Sequence, residues 1–136
     1  VGHTTTAPHA SAIAGKNNAA TGDGALVLGG ESNVAGGDAN PHGTASGSNA
    51  VVLGGHINTA SGYAASVSGG SNNKASGFTA SVNGGVGNEA SGSSSSVSGG
   101  RYNTANGYYA SISGGGWNVA SGVSSSISGG EDQHNL

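Results

Sequence analysis

The chain contains no cysteine and no methionine, and it has three basic residues, one Phe and one Trp in 136 residues. Without cysteine there are no disulfides and no thiolate metal sites, and the redox compartment is left open. The three cations, Lys16, Lys74 and Arg101, are scattered and the net charge is −3. That excludes a nucleic-acid surface, which needs a clustered basic face. No apolar run approaches the roughly 20 residues of a membrane-spanning helix, so this segment itself is expected to make no membrane contact. No stretch reads as a secretory leader. The opening Val1-Gly2-His3 lacks an initiator Met, which reads as a fragment or processed segment whose targeting or anchoring elements lie outside it. With so few large apolar side chains, a broad two-layer core is also excluded.

What is abundant is glycine, 29 residues of it, and it is ordered along the chain. An aliphatic residue recurs every fifteen positions at Val52, Val67, Val82, Val97, Ile112 and Ile127. Gly54-Gly55 returns as Gly69-Gly70, Gly84-Gly85, Gly99-Gly100, Gly114-Gly115 and Gly129-Gly130. Asn follows at 58, 73, 88, 103 and 118, Ala at 60, 75, 90, 105 and 120, and a closing Gly at 62, 77, 92, 107 and 122. Five interlocked columns at one period exclude disorder, which a Gly/Ser-rich composition would otherwise suggest. Upstream the phrase loosens: Gly29-Gly30, Asn33, Ala35 and Gly37 form one unit, and Gly15, Asn18, Ala20 and Gly22 another. Ile13 precedes Val27 by fourteen, so it is taken with Val27 as part of the aliphatic column, in a first unit one glycine short. Residues 38–48, with Pro41, break the register and read as an irregular loop. The domain reading is therefore an irregular lead-in over 1–10, repeats over 11–130, and a neck, stalk or tail beginning at 131–136.

A fifteen-residue period is too short for helical repeats, and Gly and Ser would not sustain helices. It suits one turn of an all-β parallel solenoid, with two short strands of about five residues per coil and glycine at the turns. Coils stacked at roughly 4.8 Å pair their backbone groups with the next coil. The Asn column has two readings: an amide ladder along the stack, or turn residues in the left-handed conformation. Ile13, Val27, Val52, Val67, Val82, Val97, Ile112 and Ile127 are the expected core or inter-chain contact. Which strand face fills the interior is open. One aliphatic per coil is meagre against the backbone entropy of about 1–2 kcal/mol per residue, so an oligomer is expected.

Asn49-Ala50-Val51-Val52-Leu53-Gly54 closely resembles the Asn-Ser-Val-Ala-Ile-Gly-type repeat of YadA-like head domains. These belong to trimeric autotransporter adhesins, surface proteins of Gram-negative bacteria. Gly24-Ala25-Leu26-Val27-Leu28-Gly29 matches more weakly, and Asn58-Thr59-Ala60-Ser61-Gly62 is a family-like alternating phrase. The resemblance runs from about Ser11 to Gly130. It implies a left-handed parallel β-roll, a homotrimer of side-by-side rolls, and a bacterial cell-surface location through an outer-membrane anchor beyond this stretch. It also implies attachment to host extracellular matrix or cell-surface molecules. The coils reading Ser-Val-Ser-Gly-Gly depart from the family's six-residue motif.

The aromatics occupy positions that the repeat leaves free. Tyr63, Phe78 and Tyr108 follow closing glycines, Tyr109 is beside Tyr108, and Tyr102 and Trp117 lie between Gly-Gly and Asn. With Arg101 they are the candidate ligand-binding residues, expected at exposed turns; capping of gaps between coils or chains is the structural alternative. His3, His9, His42, His56 and His134 lack metal-ligand spacing. Asp23, Glu31 and Asp38 fall at different phases of the repeat and give no carboxylate pair or calcium site. No serine lies in a nucleophile elbow. The expectation is a non-catalytic protein with no cofactor and no metal. A phage tail-fibre solenoid binding or cleaving glycans is the alternative function. An ice-binding solenoid would need a regular Thr array, which Thr59, Thr79 and Thr104 do not make.

Overall fold

The computed structural model describes residues 2–36 and 47–136. The described residues contain only very short strands, bridges and turns, and no helix. Eight strands, from Ser11–Ala12 to Ser126–Ile127, form one parallel sheet, and nine, from Thr4–Thr5 to His134–Asn135, form a second. A third ladder of single bridges runs Lys16, Glu31, His56, Ser71, Val86, Arg101, Gly116, Glu131. Each coil therefore contributes one rung to three ladders, and the whole is a β-solenoid of about eight coils. The strands are two residues long rather than about five. In a fifteen-residue circuit the bends consume most of the chain, so pairing is confined to the middle of each side.

Every rung bonds to the next coil. Ser66 N–H donates to the Ala80 oxygen (3.0 Å), Ser68 N–H to Val82 (3.0 Å) and Thr59 N–H to Asn73 (2.8 Å). Val67 pairs with Val82, Val82 with Val97, and Val97 with Ile112, which fixes the period at fifteen. At one place Leu26 pairs with Val51 and Val34 with Thr59, a step of 25. The step is ten residues longer than elsewhere, and the register on either side is unchanged. Of the loop read at 38–48, residues 38–46 lie outside the described residues, as does Gly37; Gly47 and Ser48 form a buried turn.

The face question is decided by the alternation of strand side chains. Val27, Val52, Val67, Val82, Val97, Ile112 and Ile127 point into the coil and are at most 7% exposed. Two small residues complete each layer of the core, such as Ala60 and Ala65 beside Val52. The residues that flank each inward Val or Ile from Val27 on point outward: Leu26 and Leu28, Val51 and Leu53, and from Ser66 on serines with one Asn, Asn83. Ile13 does not belong to the interior column. Ala12 pairs with Val27, and Ile13 is 64% exposed, in the outward column of Leu28 and Leu53. The first coil is therefore a full fifteen residues, with Ala14 where later coils have the first Gly of the pair.

That exchange has a steric reason. A Cβ added at Gly29, Gly54, Gly69, Gly84, Gly99 or Gly114 meets nothing within 4 Å. The second glycine is the one required: Gly55, Gly70, Gly85, Gly100 and Gly115 have φ of 84–90°, and a Cβ there would collide with the next coil's backbone oxygen. At both ends the ladder extends past the span read as repeats. Thr4–Thr5 pair with Ala19–Ala20 inside the supposed lead-in, and His134–Asn135 pair with Val119–Ala120 where the sequence had read a break.

The Asn column is fully inside, 0–1% exposed from Asn18 to Asn118. Asn73 is representative. Its Nδ2 donates to the oxygens of Gly69 and Gly85 (both 2.9 Å), and its Oδ1 accepts from the Asn88 N–H (2.9 Å). Each amide thus ties its own corner to the backbone of the next coil. It is a spine of amide-to-backbone bonds rather than an amide-to-amide ladder, the one side-chain pair being Asn103 to Asn88 at 3.2 Å. Nor is Asn the left-handed residue. That conformation belongs to the position just before it, as at Ile57, Asn72, Tyr102 and Trp117.

Candidate functional site

Two corners of each coil present side chains to solvent, and they divide the aromatics between them. One corner follows the closing Gly and carries Tyr63, Phe78, Tyr108 and Tyr109; the other follows the single-bridge ladder and carries Tyr102 and Trp117. All six are 44–56% exposed.

At the first corner Tyr63 and Phe78, one coil apart, stack with centroids 5.1 Å apart and planes 9° from parallel. Ser93 occupies the next rung, so Tyr108 stands about two rungs, roughly 10 Å, from Phe78. Tyr108 and Tyr109 meet edge to face at 4.3 Å. A side-chain hydrogen bond with Tyr108, and then that neighbour's charge, push the Tyr109 phenol above its usual range. Thr79 and Ser94, in the column of Tyr109, join through their hydroxyls at 3.0 Å.

The second corner is more elaborately built. Tyr102 and Trp117 stack at 4.3 Å with planes 20° apart. Both have left-handed backbone, φ of 54° and 59°, which costs an L-residue roughly 1–2 kcal/mol. The chain accepts this because the Tyr102 and Trp117 N–H groups bond to the oxygens of Val86 (2.9 Å) and Arg101 (3.0 Å) on the coil before, fixing the turn. Gly87 precedes Tyr102 in the column, and a Cβ there would lie 2.6 Å from the ring. Beside the rings, the Arg101 side chain lies across Gly116, which is buried beneath it; a Cβ on Gly116 would be 3.4 Å from both Arg101 Cγ and Nε. Arg101 Nη2 then reaches Glu131 Oε1 at 3.4 Å, two coils on.

The change from Arg101-Tyr102 to Gly116-Trp117 between consecutive coils is thereby explained. Gly116 lies beneath the Arg101 side chain, and Trp117 completes the stack begun by Tyr102. The sequence singled out these residues, but their pairing across coils and the part played by Gly87 and Gly116 were missed. The signal was available: these are the glycines that depart from the consensus columns next to an aromatic.

Other polar groups are dispersed. Lys16–Glu31 (3.3 Å), Lys74–Glu89 (3.2 Å), His9–Asp23 (3.4 Å) and His134–Asp132 (3.3 Å) are exposed pairs along the stack. Surface pairs of this kind contribute little. His3 takes the place of Asn at the first rung, and its Nδ1 is buried without a partner. His42 and Asp38 lie outside the described residues, so the proximity of His42 to His56 and the third acid of the Asp23, Glu31 and Asp38 cluster are not described. Among the described residues no three His, Asp or Glu side chains are grouped to hold a metal ion, and no helix is long and apolar enough to cross a membrane.

On the outer face of the eight-stranded sheet, Leu26, Leu28, Val51, Leu53 and Ile13 cluster at one end. The same two columns continue as Ser66 and Ser68, Ser81 and Asn83, Ser96 and Ser98, Ser111 and Ser113, and Ser126 and Ser128. No protein-family model matches the chain, and no curated protein matches it.

Proposed function

We propose that this chain is part of the non-catalytic head of a trimeric bacterial surface adhesin, a left-handed β-roll packed beside two copies of itself and attaching to host cells or extracellular matrix. Its place is the outer surface of the bacterium, held through an anchor beyond this stretch. The observation that carries the reading is the Tyr102–Trp117 stack, half exposed at a corner whose residue type varies from coil to coil. Exposed Tyr, Trp and Arg are the residues that anchor binding.

The side-by-side trimer has separate support. Leu28 and Leu53 are 39% and 46% exposed on the outer face of a parallel sheet, and Leu26 and Val51 stand beside them. Parallel sheets are ordinarily covered on both faces. The phrase Asn49 to Gly54 that resembles the YadA-like repeat contains two of these outward residues, Val51 and Leu53.

The test is the triple variant Tyr102→Ala, Tyr108→Ala, Trp117→Ala, assayed on surfaces coated with matrix proteins and on host cells. Adhesion is expected to fall severalfold, with molar mass by light scattering and the circular dichroism spectrum unchanged. Undiminished adhesion would refute the reading.

A further inference from the structure

We propose that the strip Arg101–Tyr102–Trp117 binds a glycan that ends in a single acidic sugar, with Arg101 on the carboxylate and Trp117 on the sugar ring. The proposal rests on the adhesive reading and names the ligand class for one of its two aromatic corners.

The argument begins with hydrogen-bonding character. The strip is rich in donors: a guanidinium, an indole N–H that can only donate, and a phenol. The edges of stacked aromatic rings are also electropositive. Neither the indole N–H nor the phenol has a hydrogen-bond partner among the described residues. Arg101 has one acid partner, Glu131, at 3.4 Å, and the two side chains are 64% and 69% exposed. Such a pair is worth little in water, so the guanidinium can exchange it for a ligand carboxylate, where a two-pronged geometry strengthens the bond.

Charge then limits the ligand. Net charge is −3, and Lys16, the other cation on the ladder of Arg101, stands at its far end beyond Glu31, His56, Ser71 and Val86. Lys74 stands on a different ladder from Arg101. A polyanion such as a sulfated polysaccharide would meet one cation and a repelling background, whereas a single carboxylate meets a single guanidinium.

The aromatic pair supplies the rest. Tyr102 covers one face of the indole at 4.3 Å. Asp132 follows Trp117 in the column; it puts no ring on the other face, and its carboxylate is paired with the His134 ring at 3.3 Å. A pyranose offers a flat C–H face of matching size, and a ring already fixed by stacking loses little freedom on binding. Gly87 leaves the Tyr102 ring clear of a Cβ that would lie 2.6 Å from it, and Gly116 lies beside the Arg101 side chain.

The experiment titrates the intact chain with 3′-sialyllactose, with lactose, and with heparin, following Trp117 fluorescence and ligand line broadening in NMR. Saturable binding of sialyllactose alone is expected, weakened about tenfold by Arg101→Ala. Equal binding of lactose, preference for heparin, an Arg101→Ala variant that binds as well as the parent, or no saturable binding would each overturn the proposal. Adhesion separates this proposal from the broader reading. If adhesion falls in the triple aromatic variant but survives removal of terminal acidic sugars from the host cells, the acidic-sugar assignment fails and the adhesive role stands.

Discussion

At the scale of the residue, the amide spine is the feature on which the coil most depends. Asn73 satisfies two half-buried carbonyls and one buried N–H with a single side chain. Asn73→Ala leaves the Gly69 oxygen and the Asn88 N–H without these partners, while the Gly85 oxygen keeps the Ser71 N–H (3.0 Å), and a loss of about 3 kcal/mol is expected in urea unfolding. Strain acts the other way at Ile57, a β-branched residue at φ 55° and 48% exposed, in a column where Asn17 and Asn72 take the same conformation at lower cost. Ile57→Asn is expected to raise stability by about 1 kcal/mol by the same measurement. Tyr109 offers a spectroscopic check on the edge-to-face pair. Its phenol should titrate above the ordinary tyrosine value, and Tyr108→Phe, which removes the hydrogen bond, should bring it down. Absorbance titration at alkaline pH reads both.

At the scale of the element, the repeating unit is three short sides and their corners, and each glycine column has its own reason. Gly69 faces open space and Gly77 touches the backbone of the next coil. Gly69→Ala is expected to leave the melting temperature nearly unchanged, while Gly77→Ala should lower it by several degrees, because the collision is with backbone that cannot move aside. A thermal melt followed by circular dichroism separates the two. Most of the coil was legible beforehand, because periodicity reports stacking directly: equal spacing means equal position on the rung. Single-coil exceptions were harder to place. Ile13 looked like a member of the Val column because fourteen is close to fifteen, and only the pairing of Ala12 with Val27 shows that it faces outward. The short strands were overestimated because the sequence does not show how many residues a corner uses.

At the scale of the whole molecule, a stack this narrow buries one aliphatic and two small residues in most coils, together with its amide spine. Its outer sheet face is apolar at one end and serine-covered along the rest. In the proposed trimer the apolar end is the contact where side-by-side copies gain most, since covering apolar surface is worth roughly 25 cal/mol per Å². Leu28→Asp with Leu53→Asp is expected to shift the molar mass in light scattering from three chains toward one, by burying charge at that contact. Unchanged trimer mass in this variant would place the interface on another face.

The amino-acid sequence determined the period, the all-β character, the glycine and asparagine columns and the positions free to vary. Those follow from stacking like upon like, which leaves the same mark in every coil. The tertiary structure alone decided that the valines face inward and the serines outward, and that Asn bonds to backbone. It also decided that the aromatics belong to two separate corners, and that Gly87 and Gly116 lie against the Tyr102 ring and the Arg101 side chain. Each of these depends on the direction of a side chain from its rung and on which neighbour it meets, and spacing along the chain carries neither.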